Sequence, residues 1–138
     1  MSARYSFQLC ARDYDGALAT MRAFPRDYIE SGASSGPTGY FKGDVLARAG
    51  KAAAAEIEWR AALDVVERRL APRPNDRTLL VFKALLLASL GDRPGAEKIW
   101  RATRELFGDV GEEWADHRLR LELLPDDEAL DYLATQIE

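Results

Sequence analysis

The sequence predicts an all-α fold: about three to four antiparallel helix hairpins stacked into a short right-handed superhelix, forming a single repeat domain over residues 1–138. Three observations predict it. The stretch Tyr40–Ala61 recurs loosely 41 residues further on as Val81–Ala102, with ten identities in 22 residues. Apolar residues return at three- and four-residue spacing through most of the chain. Gly and Pro divide those periodic segments into pairs. Self-similarity of this kind marks stacked supersecondary units, each needing its neighbours to bury its apolar face.

The identities carry the repeat. They are Phe41/Phe82, Lys42/Lys83, Leu46/Leu87, Ala47/Ala88, Gly50/Gly91, Ala55/Ala96, Glu56/Glu97, Trp59/Trp100, Arg60/Arg101 and Ala61/Ala102. Gly43/Ala84 keeps a small residue where two helices are expected to cross. The first pair falls over residues 3–30, with helices Ala3–Arg12 and Asp15–Tyr28; Ala17, Leu18, Met21 and Phe24 lie at helical spacing. Either the second helix stops at Phe24 or Pro25 opens a last short turn. Ser31–Gly39, rich in Gly and Ser, reads as a loop. The second pair falls over 38–71, with helices Thr38–Ala49 and Lys51–Ala71, the latter carrying the apolar stripe Ala55, Trp59, Ala62, Leu63, Val66 and Leu70. Pro72 and Pro74 end it.

The third pair falls over 76–107. Asn75 or Asp76 caps its first helix, which reaches Leu90, because a side-chain oxygen there accepts the free N–H groups of the first turn. Gly91 supplies the left-handed residue past the helix end, and Asp92 caps the next helix, Arg93–Phe107. A divergent last pair falls over 112–137, Glu112–Leu124 and Asp126–Ile137, broken at Pro125. Terminal repeats are expected to differ because one side faces water.

The bulk composition narrows the function. Apolar residues make 47% and charged residues 30%, a soluble globular balance. A net charge of −4, with basic residues scattered, argues against nucleic acid as partner. No apolar run approaches the ~20 residues that span a bilayer, so no membrane partner is expected. The first residues are too polar for a secretory signal. Cys10 is the one cysteine, which forbids an internal disulfide; between Leu9 and Ala11 it reads as a small buried hydrophobe. A reducing cytoplasm fits.

Little in the chain points to catalysis, and no cofactor is expected. His117 is the one histidine, so a metal site or a nucleophile–base pair would lack partners. Glu113 and Asp116 beside it read as a polar helix face. The Ser31–Gly39 loop lacks the Gly-Lys-Ser/Thr ending of a phosphate cradle, and no strand is expected before it. The carboxylates Glu112, Glu113, Asp116, Asp126, Asp127, Glu128 and Asp131 lie near expected helix starts, where dipole and solvent account for them. Trp59 and Trp100, at equivalent positions, read as packing residues.

The order small–Leu–Gly–Ala–aromatic resembles the tetratricopeptide repeat (TPR). Gly43, Leu46, Ala55 and Trp59 fill that motif's places in one repeat; Ala84, Leu87, Ala96 and Trp100 fill them in the next. Asp13-Tyr14-Asp15-Gly16-Ala17 is similar to the family's turn into the second helix, with Met21 at the aromatic position. The period of 41 residues departs from the family's usual 34, through a longer second helix in the middle repeat. Pro-Asn-Asp-Arg and Leu-Ala-Ser-Leu-Gly-Asp-Arg are similar to phrases in the carboxy-terminal repeat arrays of large bacterial signalling proteins.

That resemblance implies a module that binds a protein or peptide partner in a concave groove lined by first helices. Mapped onto this chain, the groove takes Tyr40, Asp44 and Arg48 from the second pair, Val81, Leu85 and Ser89 from the third, and Trp114 and Arg118 from the last. In this reading Val81 and Leu85 form an apolar patch left on the groove side of a helix that is apolar nearly all round. The family's carboxylate clamp of Lys, Asn and Arg is not expected, since Tyr40, Asp44, Val81 and Leu85 stand near its places. The alternative is self-association, with the groove filled by the parent chain or by a second copy.

Overall fold

The computed structural model describes residues 8–30 and 35–108, together with 119, 123, 128, 130 and 134. It is predominantly helical. The described elements are α1 (Tyr14–Arg22), β1 (Tyr28–Ile29), β2 (Gly36–Pro37), α2 (Thr38–Arg48), α3 (Ala52–Leu70), α4 (Arg77–Ser89) and α5 (Arg93–Phe107). Residues 8–10 are also helical, before α1. The chain divides into two compact units, Met1–Pro74 and Asn75–Glu138, at the boundary between the expected second and third pairs.

The repeat is written into the backbone. After α2, Gly50 takes φ 79°; its N–H donates to the Ala47 carbonyl at 3.0 Å, and the Lys51 N–H donates to Leu46 at 2.8 Å. After α4, Gly91 takes φ 85°, with Gly91 to Ala88 at 3.1 Å and Asp92 to Leu87 at 2.9 Å. Both are Schellman closures, which satisfy the last carbonyls of a helix through one left-handed residue. A β-carbon at either glycine would meet nothing within 4 Å, so the backbone angle, not space, selects glycine. A third copy precedes α1: Arg12 takes φ 57°, Arg12 donates to Leu9 at 3.1 Å and Asp13 to Gln8 at 2.8 Å. Arginine accepts there a conformation that costs roughly 1 kcal/mol for a residue with a β-carbon.

The helix starts repeat less completely. The carboxylates of Asp13 and Asp92 accept from the N–H groups of Gly16 (3.0 Å) and Gly95 (3.1 Å). A β-carbon on Gly16 or Gly95 would overlap that capping carboxylate. In α3 the cap is Lys51, which makes no such bond, and Ala54 stands in the glycine's place. Asp76, rather than Asn75, caps α4, accepting from the Leu79 N–H at 3.1 Å.

In the first unit α2 packs against both α1 and α3, so more than one face of α2 is buried. Its crossing with α3 is close. A β-carbon on Gly39 would lie 2.7 Å from the Glu58 carbonyl oxygen, and one on Gly43 would overlap the Trp59 indole. Of the expected α3 stripe, Ala55, Ala62, Val66 and Leu70 are buried, Trp59 and Leu63 are half-buried, and Val65 is buried too. Ala17, Ala55 and Ala96 are all 0% exposed, which explains why each second helix keeps alanine there.

The connector between α1 and α2 differs from expectation. α1 ends at Arg22, two residues before Phe24, one of the two expected stops, instead of continuing to Tyr28. Pro25 lacks an N–H and disfavours helical φ/ψ at Phe24. Tyr28 and Ile29 instead pair antiparallel with Pro37 and Gly36. α2 starts at Thr38, the expected helix start, so the expected loop Ser31–Gly39 gives up Thr38 and Gly39 to it. Thr38, fully enclosed, donates its hydroxyl to the Arg26 carbonyl at 2.7 Å and its N–H to Asp27 at 2.9 Å. Cys10 is exposed rather than buried. Gln8 takes the inward position, bonded by Thr20 at 2.8 Å, and two residues further on the helix faces outward.

In the second unit α4 and α5 form the hairpin. Leu79, Val81, Phe82, Ala84, Leu85 and Leu86 are buried along α4. Trp100 is buried in α5, with the Arg104 guanidinium 5.1 Å from its ring centre. Leu119 and Leu123 are buried as well, and Arg93 donates to the Leu123 carbonyl at 3.0 Å. Most of the expected last pair, 112–137, lies outside the described residues.

Candidate interaction surface

Of the predicted groove residues, Tyr40, Asp44 and Arg48 follow one another at four-residue spacing on α2. Tyr40 is 1% exposed and packs edge-on against Phe41, ring centres 5.4 Å apart. Asp44 is buried at its edge and pairs with Arg48, Nε to Oδ2 3.2 Å. Val81 is buried and Leu85 is 0% exposed on α4. As side chains open to a ligand, Tyr40, Asp44, Val81 and Leu85 are therefore corrected: α2 carries helices on two sides, and the all-round apolar α4 is enclosed instead of leaving a bare stripe. Arg48 reaches solvent, and Ser89 at the end of α4 is partly exposed. Trp114 and Arg118 lie outside the described residues, as does His117.

The surface that the structure does assemble was not anticipated. The Arg69 guanidinium, near the C-terminal end of α3, lies 4.0 Å over the ring of Tyr28. Its Nη1 donates to Glu30 Oε1 at 2.8 Å. Tyr28 is buried, while Arg69 and Glu30 keep 39% and 61% of their side chains exposed. The Arg69 hydrogen bond, above all, and its charge hold the Glu30 carboxyl below the ordinary carboxylate value; slight burial opposes this, and the charges of Arg26 and Arg73 add to the lowering. Three arginines thus bear on one carboxylate. Arg69 and Glu30 stand 39 residues apart, and the β1–β2 pairing that carries Tyr28 beside them has only two residues per strand, too few for periodicity to reveal.

Elsewhere the helix surfaces are mixed in charge. Arg60 bonds Glu56 at 2.7 Å and Arg101 bonds Glu97 at 2.6 Å, the same i,i+4 pair in each repeat, and Arg68 meets Asp64 at 3.1 Å. Such pairs contribute a few tenths of a kcal/mol each. Ile57 on α3 is 70% exposed; Leu106, Phe107 and Leu130 are exposed in the second unit. Among the described residues no helix is long and apolar enough to cross a membrane. Compared with known proteins, the chain matches no family model, no curated protein and no solved structure.

Proposed function

We propose that this chain is a protein–protein interaction module of the tetratricopeptide-repeat kind, a scaffold that binds a peptide or helix as part of a larger signalling or regulatory protein. One observation carries the reading. The same hairpin turn closes at Arg12, Gly50 and Gly91, with paired hydrogen bonds at corresponding positions. Units built this way stack and present an extended surface, and surface recognition is their common use. Contacts with the partner use residues that reach water, Arg48 among them; Trp114 and Arg118, expected from the sequence to contribute, lie outside the described residues.

Affinity capture from a cell lysate tests this, with the intact chain beside a Trp114→Ala/Arg118→Ala variant verified as folded by circular dichroism. A protein retained by the first and lost by the second supports a groove-dependent interaction. Retention of nothing, or of the same proteins by both, removes it.

A second reading is self-association, favoured by Ile57, a large apolar side chain 70% exposed on α3. Exposed apolar surface is a common basis for pairing of copies. Sedimentation equilibrium separates the two: a mass rising with concentration, abolished by Ile57→Glu, supports self-association, and a constant monomer mass rules it out.

A further inference from the structure

We infer that Arg26, Arg69 and Arg73 form a docking site for an acidic peptide segment, in which the carboxylate of Glu30 occupies the place of a ligand carboxylate. This rests on the interaction-module reading and names the chemistry of the partner. Arg69 is already ordered: it lies over Tyr28 at 4.0 Å and bonds Glu30 at 2.8 Å, yet 39% of its side chain reaches water. A guanidinium held in this way has lost its rotamer freedom before a ligand arrives, so binding costs less order. Its planar fork matches carboxylates in shape as well as charge.

The flanking arginines are exposed side chains on tethered backbone. The Arg26 carbonyl accepts the buried Thr38 hydroxyl at 2.7 Å, and the Arg73 N–H donates to the Leu70 carbonyl at 3.0 Å. Both act electrostatically on Glu30. The connector carries Arg26, Asp27 and Glu30, and the stretch 67–73 carries Glu67, Arg68, Arg69 and Arg73, so four arginines stand against three acids and the patch is positive on a chain whose net charge is −4. Charge complementarity therefore selects an Asp- or Glu-bearing segment. The occupant that the fold itself supplies is a carboxylate, which selects the same chemistry.

Fluorescence anisotropy of a labelled hexaglutamate peptide, titrated with the full chain at low salt, tests the inference. A hexalysine peptide and vesicles containing anionic lipid run beside it. The wild type binds hexaglutamate, and added salt weakens binding. Glu30→Gln removes the internal competitor and tightens binding by about threefold to tenfold, while Arg26→Ala/Arg73→Ala weakens it by a similar factor, the range expected of exposed charge pairs. Circular dichroism and thermal melting establish that both variants are folded.

The inference is overturned if neither wild type nor Glu30→Gln binds hexaglutamate. Equal binding by Arg26→Ala/Arg73→Ala, or equal binding of hexalysine, also overturns it. Vesicle binding without peptide binding assigns the patch to lipid headgroups instead. A lysate partner still captured by Arg26→Ala/Arg73→Ala, with hexaglutamate unbound, removes this inference and leaves the interaction-module reading standing.

Discussion

Trp59 donates its indole N–H to the backbone carbonyl of Tyr40 across 3.4 Å, a reach from α3 to α2 made over the bare backbone of Gly43. The corresponding positions of the second repeat hold Trp100 and Ala84, both buried, Ala84 at 0% exposure. Both repeats therefore keep a tryptophan and a small residue at the same two positions.

Gly43→Ala is expected to destabilise the first unit. Its β-carbon would overlap a rigid indole that is also held by a hydrogen bond. Overpacking of this kind costs about 1–3 kcal/mol, more than the helix propensity gained by replacing glycine. Urea unfolding gives the comparison. A midpoint equal to or above wild type would show that Trp59 moves aside freely.

The two tryptophans should differ when truncated. Trp100 is buried and Trp59 half-buried. Trp100→Ala is expected to lose about 3–5 kcal/mol, and Trp59→Ala less, because part of its ring already faces water. Thermal melting of both variants checks the order; a larger loss at Trp59 would contradict the burial assigned to it.

The three hairpin closures make opposite predictions. Arg12→Gly removes the strain of a β-carbon at φ 57° and should stabilise by up to about 1 kcal/mol. Gly50→Ala and Gly91→Ala, at φ 79° and 85°, should each destabilise by about 1 kcal/mol. Denaturant midpoints of the three variants read this directly, and a stabilised Gly50→Ala would be incompatible with the closure at that turn.

Helix capping gives a fourth test. Asp92→Ala and Asp76→Ala each leave first-turn N–H groups without their carboxylate. Each is expected to cost about 0.5–2 kcal/mol. Lys51→Ala should cost much less, since Lys51 makes no capping bond. Urea midpoints of the three single variants give the ranking.

Glu30 predicts a pH dependence. Its carboxyl is held below the ordinary value of 4.5 by Arg69. The unfolded chain therefore binds the proton more readily than the folded one. The contribution is present above the unfolded value and is lost as pH falls through the folded one. Stability measured from neutral pH down to about pH 3 should decline more steeply for wild type than for Glu30→Gln, across the usual carboxylate range. Parallel curves would mean that the Arg69 contact does not persist in solution.

Helices α2 to α5, the cap at Asp92 and the repeated turns were legible in the sequence because each is written in contacts a few residues apart. Gly50 and Gly91 announce a left-handed residue, Asp92 lies three residues before the Gly95 N–H it binds, and Glu56 and Glu97 each meet an arginine four residues on. Short-range geometry of this kind survives in any tertiary setting. Pro25 was visible too, but the fate of the chain after it was not, since Tyr28 finds its strand partner at Pro37 and Arg69 finds Glu30 across 39 residues.

What only the tertiary structure decided is which faces meet water. Tyr40, Val81 and Leu85 sit where a groove was expected and are enclosed, while Cys10, expected inside, is exposed. Periodicity shows that a helix has an apolar face but not how many neighbours cover it. In α2, helices on two sides bury more of the surface than one amphipathic stripe records.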